Sequence, residues 1–289
     1  LPIGDRAANL EPMPDLRRRL WSRVPQSGRA EAARFALGAG ASGIYVANAL
    51  LCNEDGTEDL FVHRAAEGAV GALVWVGSRG NLVALSQRSE PSAALGAEIA
   101  AMPLAWRIAI ADAPFIAALL DGETRPPMVC REQVYYRADP TSVDGPAPEC
   151  RLAELADTDA LCEAGLALNE SDLSIPRDRV HRGWLRRTVR RRIRGGRTYV
   201  IGPLGAPRCK LDVGSRGPAG IVLEGVFTDS AWRGRGLAST LVRSVIASLA
   251  DAGVPIVLHV AETNVAARAA YARAGMQPVD HAGILLRDR

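Results

Sequence analysis

Between residues 221 and 246 the hydrophobic pattern changes its period within a few positions. Ile221, Val222, Leu223, Val226 and Phe227 form a short apolar run of strand character, and Thr228, Asp229 and Ser230 interrupt it. Leu237, Leu241, Val242, Val245 and Ile246 then recur at helical spacing. A strand that feeds directly into a helix restricts the chain to an α/β layer, because the helix must pack back over the sheet. Arg233, Gly234, Arg235 and Gly236 stand at the junction. The two glycines leave the backbone bare, and the new helix brings free N–H donors and the positive end of its dipole. This combination suits a diphosphate, although a Gly-x-Gly turn alone is also an ordinary tight turn.

The rest of the 289-residue chain keeps to the same class. Residues 15–37 read as two short helices, residues 42–51 and 59–63 as strands, and residues 71–76 and 81–85 as a hairpin. A helix (92–102), a strand (106–111), a helix (113–120) and a strand (129–136) follow. Residues 138–148, rich in Pro, Gly and Asp and without periodicity, read as a linker. The expected domains are therefore 1–143 and 144–289. The second opens with a strand (150–154), helices (157–168 and 180–194) and strands (198–201, 207–213 and 219–228). It closes with a helix (237–252), a strand (256–261), a helix (264–274) and final strands (276–286). Both halves end strand, helix, strand, helix, strand. That reads as a tandem duplication whose second copy alone kept the glycine cradle, since the first copy has SQRSEPSAALG at the same place.

No apolar run reaches the ~18 residues of a membrane span. The N-terminus lacks an apolar signal core and an initiator Met, so its start reads as processed. The five cysteines are scattered and never in a Cys-x-x-Cys pair, which argues for the cytoplasm and against a zinc site or a disulfide framework. No metal is expected. Of 35 basic residues only Lys210 is a lysine, an arginine bias that a GC-rich genome would write without functional cause.

With Arg233-Gly-Arg-Gly-Leu-Ala238, the downstream strand IVLHV, Asn264, Ala267-Arg268, Tyr271 and Ala274-Gly275-Met276, the second half resembles the GNAT superfamily of acyl-CoA-dependent N-acetyltransferases. The compound pattern runs over some 50 residues. The whole chain resembles, more loosely, two-part bacterial GNAT proteins with a divergent N-terminal domain. The expected fold class is α/β (α+β), a mixed central sheet flanked by helices. It would be a GNAT fold in the C-terminal half and a degenerate GNAT-like fold in the N-terminal half. The resemblance implies an acyl-CoA co-substrate, acetyl-CoA first. Backbone groups of Val226, Phe227 and Thr228 would pair with the pantetheine amides. Residues Gly234, Arg235, Gly236, Leu237, Ala238 and Ser239 would wrap the pyrophosphate, with added charge from Arg233 and a contact from Arg268. Asn264 would hold the pantetheine arm, and Tyr271 would protonate the departing thiolate.

The attacking amine must lose a proton, and three candidates stand out for the base. His259 lies in the strand before Asn264 and titrates in the useful range. Glu224 shares a strand face with Val226 and either does chemistry or pairs with an arginine. Glu170 and Asp172 fall where the family gathers substrate contacts. The alternative there is helix capping by Ser171 or Asp172.

Residues 181–197 contain eight arginines and no acid, with Leu185, Val189 and Ile193 as an anchoring stripe. The arginines form a solvated face or grip an anion: the CoA 3′-phosphate, an acidic substrate or RNA. Three functions stay open at this level. The first is an N-acyltransferase for a small-molecule or peptide amine; the second is a GNAT-fold transferase with an aminoacyl-tRNA donor; the third is a non-catalytic CoA sensor or partner-binding module. Residue patterns identify neither the amine nor the oligomeric state.

Overall fold

A computed structural model describes residues 20–52, 59–138 and 145–288. The first half consists of β1 (Ser22–Arg23), α1 (Arg29–Gly38), α2 (Ile44–Cys52), β2 (Asp59–Arg64), β3 (Val70–Val76), β4 (Asn81–Ser86), α3 (Ser92–Ala100), β5 (Ile108–Ala111), α4 (Ala113–Asp121) and β6 (Val129–Ala138). The second consists of β7 (Cys150–Leu152), α5 (Thr158–Leu173), α6 (Arg182–Arg194), β8 (Thr198–Ile201), β9 (Cys209–Gly217), β10 (Gly220–Thr228), α7 (Leu237–Leu249), β11 (Ile256–Ala261), α8 (Val265–Arg273) and β12 (Met276–Leu286). Most expected elements are present. Part of the expected linker, residues 139–144, and residues 1–19 lie outside the described residues.

Two expectations change type. The described end of the first helix expected in residues 15–37 carries the short strand β1 (Ser22–Arg23), which pairs with β2. Residues 42–51, expected as a strand, contain the helix α2 instead. A short, almost wholly apolar run carries no period that separates strand from helix. Here α2 buries Ile44, Val46, Ala47, Asn48, Ala49 and Leu50, against α1 on one side and β9 and β10 on the other. Asn48, fully buried, spends its polar atoms on the second half. Its amide donates to Ser215 Oγ (3.0 Å) and the Gly220 carbonyl (2.9 Å), and its oxygen accepts from the Ala219 amide (3.0 Å).

All twelve strands among the described residues join one mixed sheet in the order β1-β2-β3-β4-β5-β12-β6-β11-β10-β9-β8-β7. The order shows the same strand arrangement in both halves, with one strand exchanged between them. In each half a parallel pair, β4–β5 or β10–β11, is followed by one antiparallel strand. That strand comes from the other half: β12 pairs with β5, and β6 pairs with β11. β6 and β12 then pair with each other along nearly their whole length, Met276↔Ala138 to Leu286↔Val129.

The apolar residues follow this layering. On one sheet face α7 buries Leu241, Val242, Val245, Ile246 and Leu249 against Leu211, Leu223, Leu258 and, from β6, Val134 and Tyr136. On the other face, α1 and α2 pack over strands of both halves, with Val222 and Val257 beside Leu73 and Trp75.

Candidate active site

The site forms where the two parallel strands of the second half part. β10 and β11 keep register only at Ile221↔Ile256 and Val222↔Val257. Beyond that point β11 stays with β6, while β10 turns away with β9. The register of β10 against β9 slips between Glu224↔Asp212 and Phe227↔Lys210, so three steps on β10 match two on β9. That is a β-bulge. Gly225, at φ +60°, makes it possible, and a Cβ there would also lie 2.9 Å from Asp212 Oδ2 and 3.0 Å from Lys210 Nζ. The edge of β10 from Glu224 to Thr228 therefore faces an opening with backbone groups that no neighbouring strand uses.

At the end of that edge, Gly234 (φ +75°) and Gly236 (φ +77°) turn the chain into α7. Helix α7 begins at Leu237, so its leading N–H groups have no intrahelical acceptor. Arg233 donates to the Thr228 carbonyl from beside the Phe227 ring. Arg208 and Arg235 both lie against Trp232, at 3.6 and 4.5 Å from the ring centroid. Bare turn, free amides and guanidiniums converge at one point, as anion binding requires.

The opening leads into a cleft of about 1010 Å³. Of the residues expected from sequence, Glu224, Val226 to Thr228, Arg233, Gly234, Gly236 to Ser239, His259, Asn264, Tyr271 and Asp172 all line it. Asn264 sits at the mouth and caps α8, its oxygen accepting from the Ala267 amide at 3.1 Å. Three expected residues do not line the cleft. Arg235 turns onto Trp232, and Arg268 donates to Tyr136 Oη and the Glu262 carbonyl. Glu170 is bonded to Arg177. The capping expectation for Ser171 and Asp172 fails, because α5 runs on through Leu173 and places both inside it. Ser171 bonds back to the Leu168 carbonyl, and Asp172 pairs with Arg131 at 2.7 Å.

His259 lies half-buried on the cleft face of β11. Its Nδ1 is 3.3 Å from Gln133 Oε1, and its ring lies 5.3 Å from that of Tyr135. With the amide oxygen accepting from Nδ1–H, the Nε2 lone pair is left to act as a base. Burial pushes its pKa below the ordinary 6.5, with Arg131 adding to the effect against Glu224 and Asp172. Tyr271 is 6% exposed and packs edge-on against Tyr136 at 5.9 Å. Burial, then the charge of Asp172, raises its pKa, so the phenol keeps its proton and can give it up only to a stronger base.

Glu224 meets an arginine. Arg192 of α6 donates one arm to Glu224 and the other to Asp212 Oδ2 at 2.9 Å. Asp212 also accepts from Lys210 Nζ (2.5 Å) and Thr198 Oγ1 (2.7 Å). Burial alone would raise the pKa of Asp212, but Lys210 and then Arg192 outweigh it and hold the pKa below the usual value. The sole lysine thus belongs to a buried charge network directly under the bulge. Alternation along β9 places Lys210 and Asp212 on one face, a signal the sequence carried. Arg131, Gln133 and Tyr135 carried none that was local, for they reach the cleft only through the strand exchange.

In the first half the corresponding place is shut. Asp112, which caps α4, accepts from Ser86 at 2.6 Å and from Ser92 at 2.6 and 2.7 Å, tying the ends of β4 and β5 to the start of α3. Glu90 pairs with His63 nearby. Two carboxylates at that helix start oppose a phosphate. Among the described residues no cluster of His, Cys, Asp or Glu could hold a metal ion, and no helix is long and apolar enough to cross a membrane.

Comparison with known proteins agrees with this geometry. Residues 196–276 match the Acetyltransferase (GNAT) family. No curated protein matches the chain. Among solved structures, a GCN5-related N-acetyltransferase from Sphaerobacter thermophilus is 17% identical and superposes with a TM-score of 0.58. It covers 92% of this chain and 94% of its own. A GNAT-family acetyltransferase from Colwellia psychrerythraea is 13% identical with a TM-score of 0.53, covering 93% and 99%. A tandem GNAT protein from the clavulanic acid biosynthesis pathway is 14% identical with a TM-score of 0.50, covering 92% and 97%. These likenesses extend the GNAT-like fold over both halves.

Proposed function

We propose, for a chain whose residues 196–276 form a GNAT domain, that the protein is an N-acyltransferase. It would carry an acetyl group from acetyl-CoA to a primary amine by direct attack in a ternary complex. The observation that supports this best is the bulged edge of β10, which runs from the charge network under Gly225 to the glycine turn before α7. Its unused backbone groups fit the amides of a pantetheine arm as an added strand would. The leading amides of α7, with Arg233, fit the pyrophosphate. Bound there, the acyl-CoA supplies an activated thioester.

The chain's own residues then divide the work. The Val226 amide, on the bulge, would polarise the thioester carbonyl oxygen. Glu224, fixed by Arg192, draws an ammonium into the cleft, and Nε2 of His259 takes its proton. Tyr271, kept protonated by burial, returns a proton to the thiolate. The second half supplies the donor site, and β6 of the first half supplies Gln133 and Arg131 on the acceptor side.

Calorimetry with acetyl-CoA followed by CoA-thiol release over a panel of amines tests the proposal. One CoA per chain and amine-dependent release are expected, with Tyr271→Phe reducing turnover at least tenfold while CoA binding persists. Absence of CoA binding would refute the assignment. Binding without release for any amine would leave a sensor and refute catalysis.

A further inference from the structure

Two buried nitrogens on the acceptor side of the cleft have no hydrogen-bond partner among the described residues: Nε2 of Gln133 and Nε of Arg131. Gln133 is 2% exposed and already commits its Oε1 to His259. Arg131 gives its two terminal nitrogens to Asp172, one to the backbone carbonyl and one to the carboxylate, both at 2.7 Å. Buried N–H groups are almost always paired, and both side chains line the cleft. They stand two residues apart on one face of β6, with the His259 ring beside Gln133. An oxygen entering the cleft close to the imidazole would meet the Gln133 amide, and Arg131 follows along the strand.

The charges around this point are already matched. Asp172 answers Arg131, and Arg192 answers Glu224. A carboxylate brought here would find both neighbouring guanidiniums paired, so the oxygen that fits is that of a neutral carbonyl. Beyond Arg131 the floor turns apolar. Arg131 is in register with Ile284 on β12, Ile284 with Ile110 on β5, and Ile110 with Val83 on β4. All four line the cleft. At ~4.8 Å per strand, this row runs roughly 14 Å from β6 into the first half. Leu173, next to Asp172 on α5, also lines the cleft and packs against the apolar cluster that holds Ile284. The base points the same way. An imidazole held below its ordinary pKa is poorly matched to an alkylammonium at about 10.4 and better matched to an α-amino group at about 8.

We propose that the acceptor is an α-aminoacyl amide: an amine with a neutral carbonyl on the adjacent carbon and an apolar group beyond it. The inference rests on the acyl-transfer reading above. The amino group lies at Nε2 of His259, the carbonyl oxygen accepts from Gln133 and Arg131, and the apolar group lies along Ile284, Ile110 and Val83. A small amide and a peptide N-terminus both carry this chemistry, and the experiment separates them.

The test uses the full chain. With CoA at saturation, glycine n-hexylamide, glycine and n-octylamine are titrated by calorimetry. The hexylamide should bind at least tenfold more tightly than either of the others. With acetyl-CoA, kcat/KM is then compared per unit of neutral amine, which removes differences in amine pKa. Glycine alkylamides from propyl to hexyl should gain about threefold per CH2, and Ile110→Ala should flatten that gain. Gln133→Leu should cut the preference for the hexylamide over octylamine at least fivefold. The ratio is read there because both amines use the same His259. CoA binding shows that each variant is folded, and where one is not, the substrate series on the unaltered chain decides. A glycyl-leucyl pentapeptide preferred over the hexylamide names a peptide N-terminus as the source, and the reverse names a small amide; either supports the class. Octylamine or glycine used as well as the hexylamide overturns the proposal. So does a preference unchanged in Gln133→Leu, or a chain-length gain unchanged in Ile110→Ala. Hexylamide that binds beside CoA without being acetylated refutes the acyl-transfer reading and leaves the acceptor class standing. Acetylation that ignores the carbonyl refutes only the acceptor class.

Discussion

At the scale of single residues, the proposed acceptor side turns on how one imidazole is held. His259 is kept neutral by burial, with a pKa below 6.5, and is oriented by Gln133 from the neighbouring strand. The sign of the pH dependence follows. A base is active when deprotonated, so kcat/KM should be flat above pH 6.5 and fall as the pH drops through the depressed pKa of His259. His259→Gln should remove this acid limb and cost on the order of 100-fold or more in kcat. Gln133→Glu sharpens the test. A carboxylate against Nδ1 favours the imidazolium, which raises the pKa and moves the acid limb to higher pH. A pH–rate series on the three proteins decides the matter. An acid limb that survives His259→Gln would take the proton transfer away from this residue.

At the scale of elements, the proposed donor site depends on a bulge supported from below. Gly225 is required twice over: by its φ of +60° and by the Lys210–Asp212 pair that fills the space of a Cβ. Ala at this position carries about 1–2 kcal/mol of backbone strain and pushes against a buried ion pair. Gly225→Ala should therefore straighten or shift the β10 edge, leaving the chain folded but weakening CoA binding at least tenfold by calorimetry. Unchanged affinity would show that the edge is not the pantetheine contact. This strand, turn and helix were legible in the sequence because everything they need lies within about 25 consecutive residues. The partner of Glu224 was not legible, since Arg192 lies 32 positions earlier on a different element. Residues 42–51 were misread for a related reason. α2 is buried along most of its length, so its sequence shows no polar face to reveal a helical period. Gln133 was invisible as a site residue because only the strand exchange brings β6 beside β11, and local pattern says nothing about which half a strand will join.

At the scale of the whole molecule, the exchange makes the two halves inseparable even though the chain passes from one to the other through a single connection. β6 is bonded on one edge to β11 and on the other to β12, and β12 lies between β6 and β5. Asn48 adds a buried polar lock between α2 and the β9–β10 turn. A chain beginning at residue 145 would lack β6 and leave the long edges of β11 and β12 open to other chains, which invites aggregation. The intact chain offers a cleaner test, which does not require either half to fold alone. With a protease recognition sequence placed within residues 139–144, cleavage cuts the covalent link between β6, which ends at Ala138, and β7, which begins at Cys150. The two fragments should still elute together under native conditions, bind CoA with the affinity of the uncut protein, and unfold in one transition. They should separate only in denaturant, because parting them breaks the β6–β11 and β5–β12 ladders together with the apolar layer of α1 and α2, which spans both halves. Fragments that come apart on cleavage, or a second unfolding transition, would show that each half closes its own sheet in solution. Gln133 and Arg131 would then leave the acceptor site with β6, so the same cleavage would abolish acyl transfer while sparing the donor edge of β10.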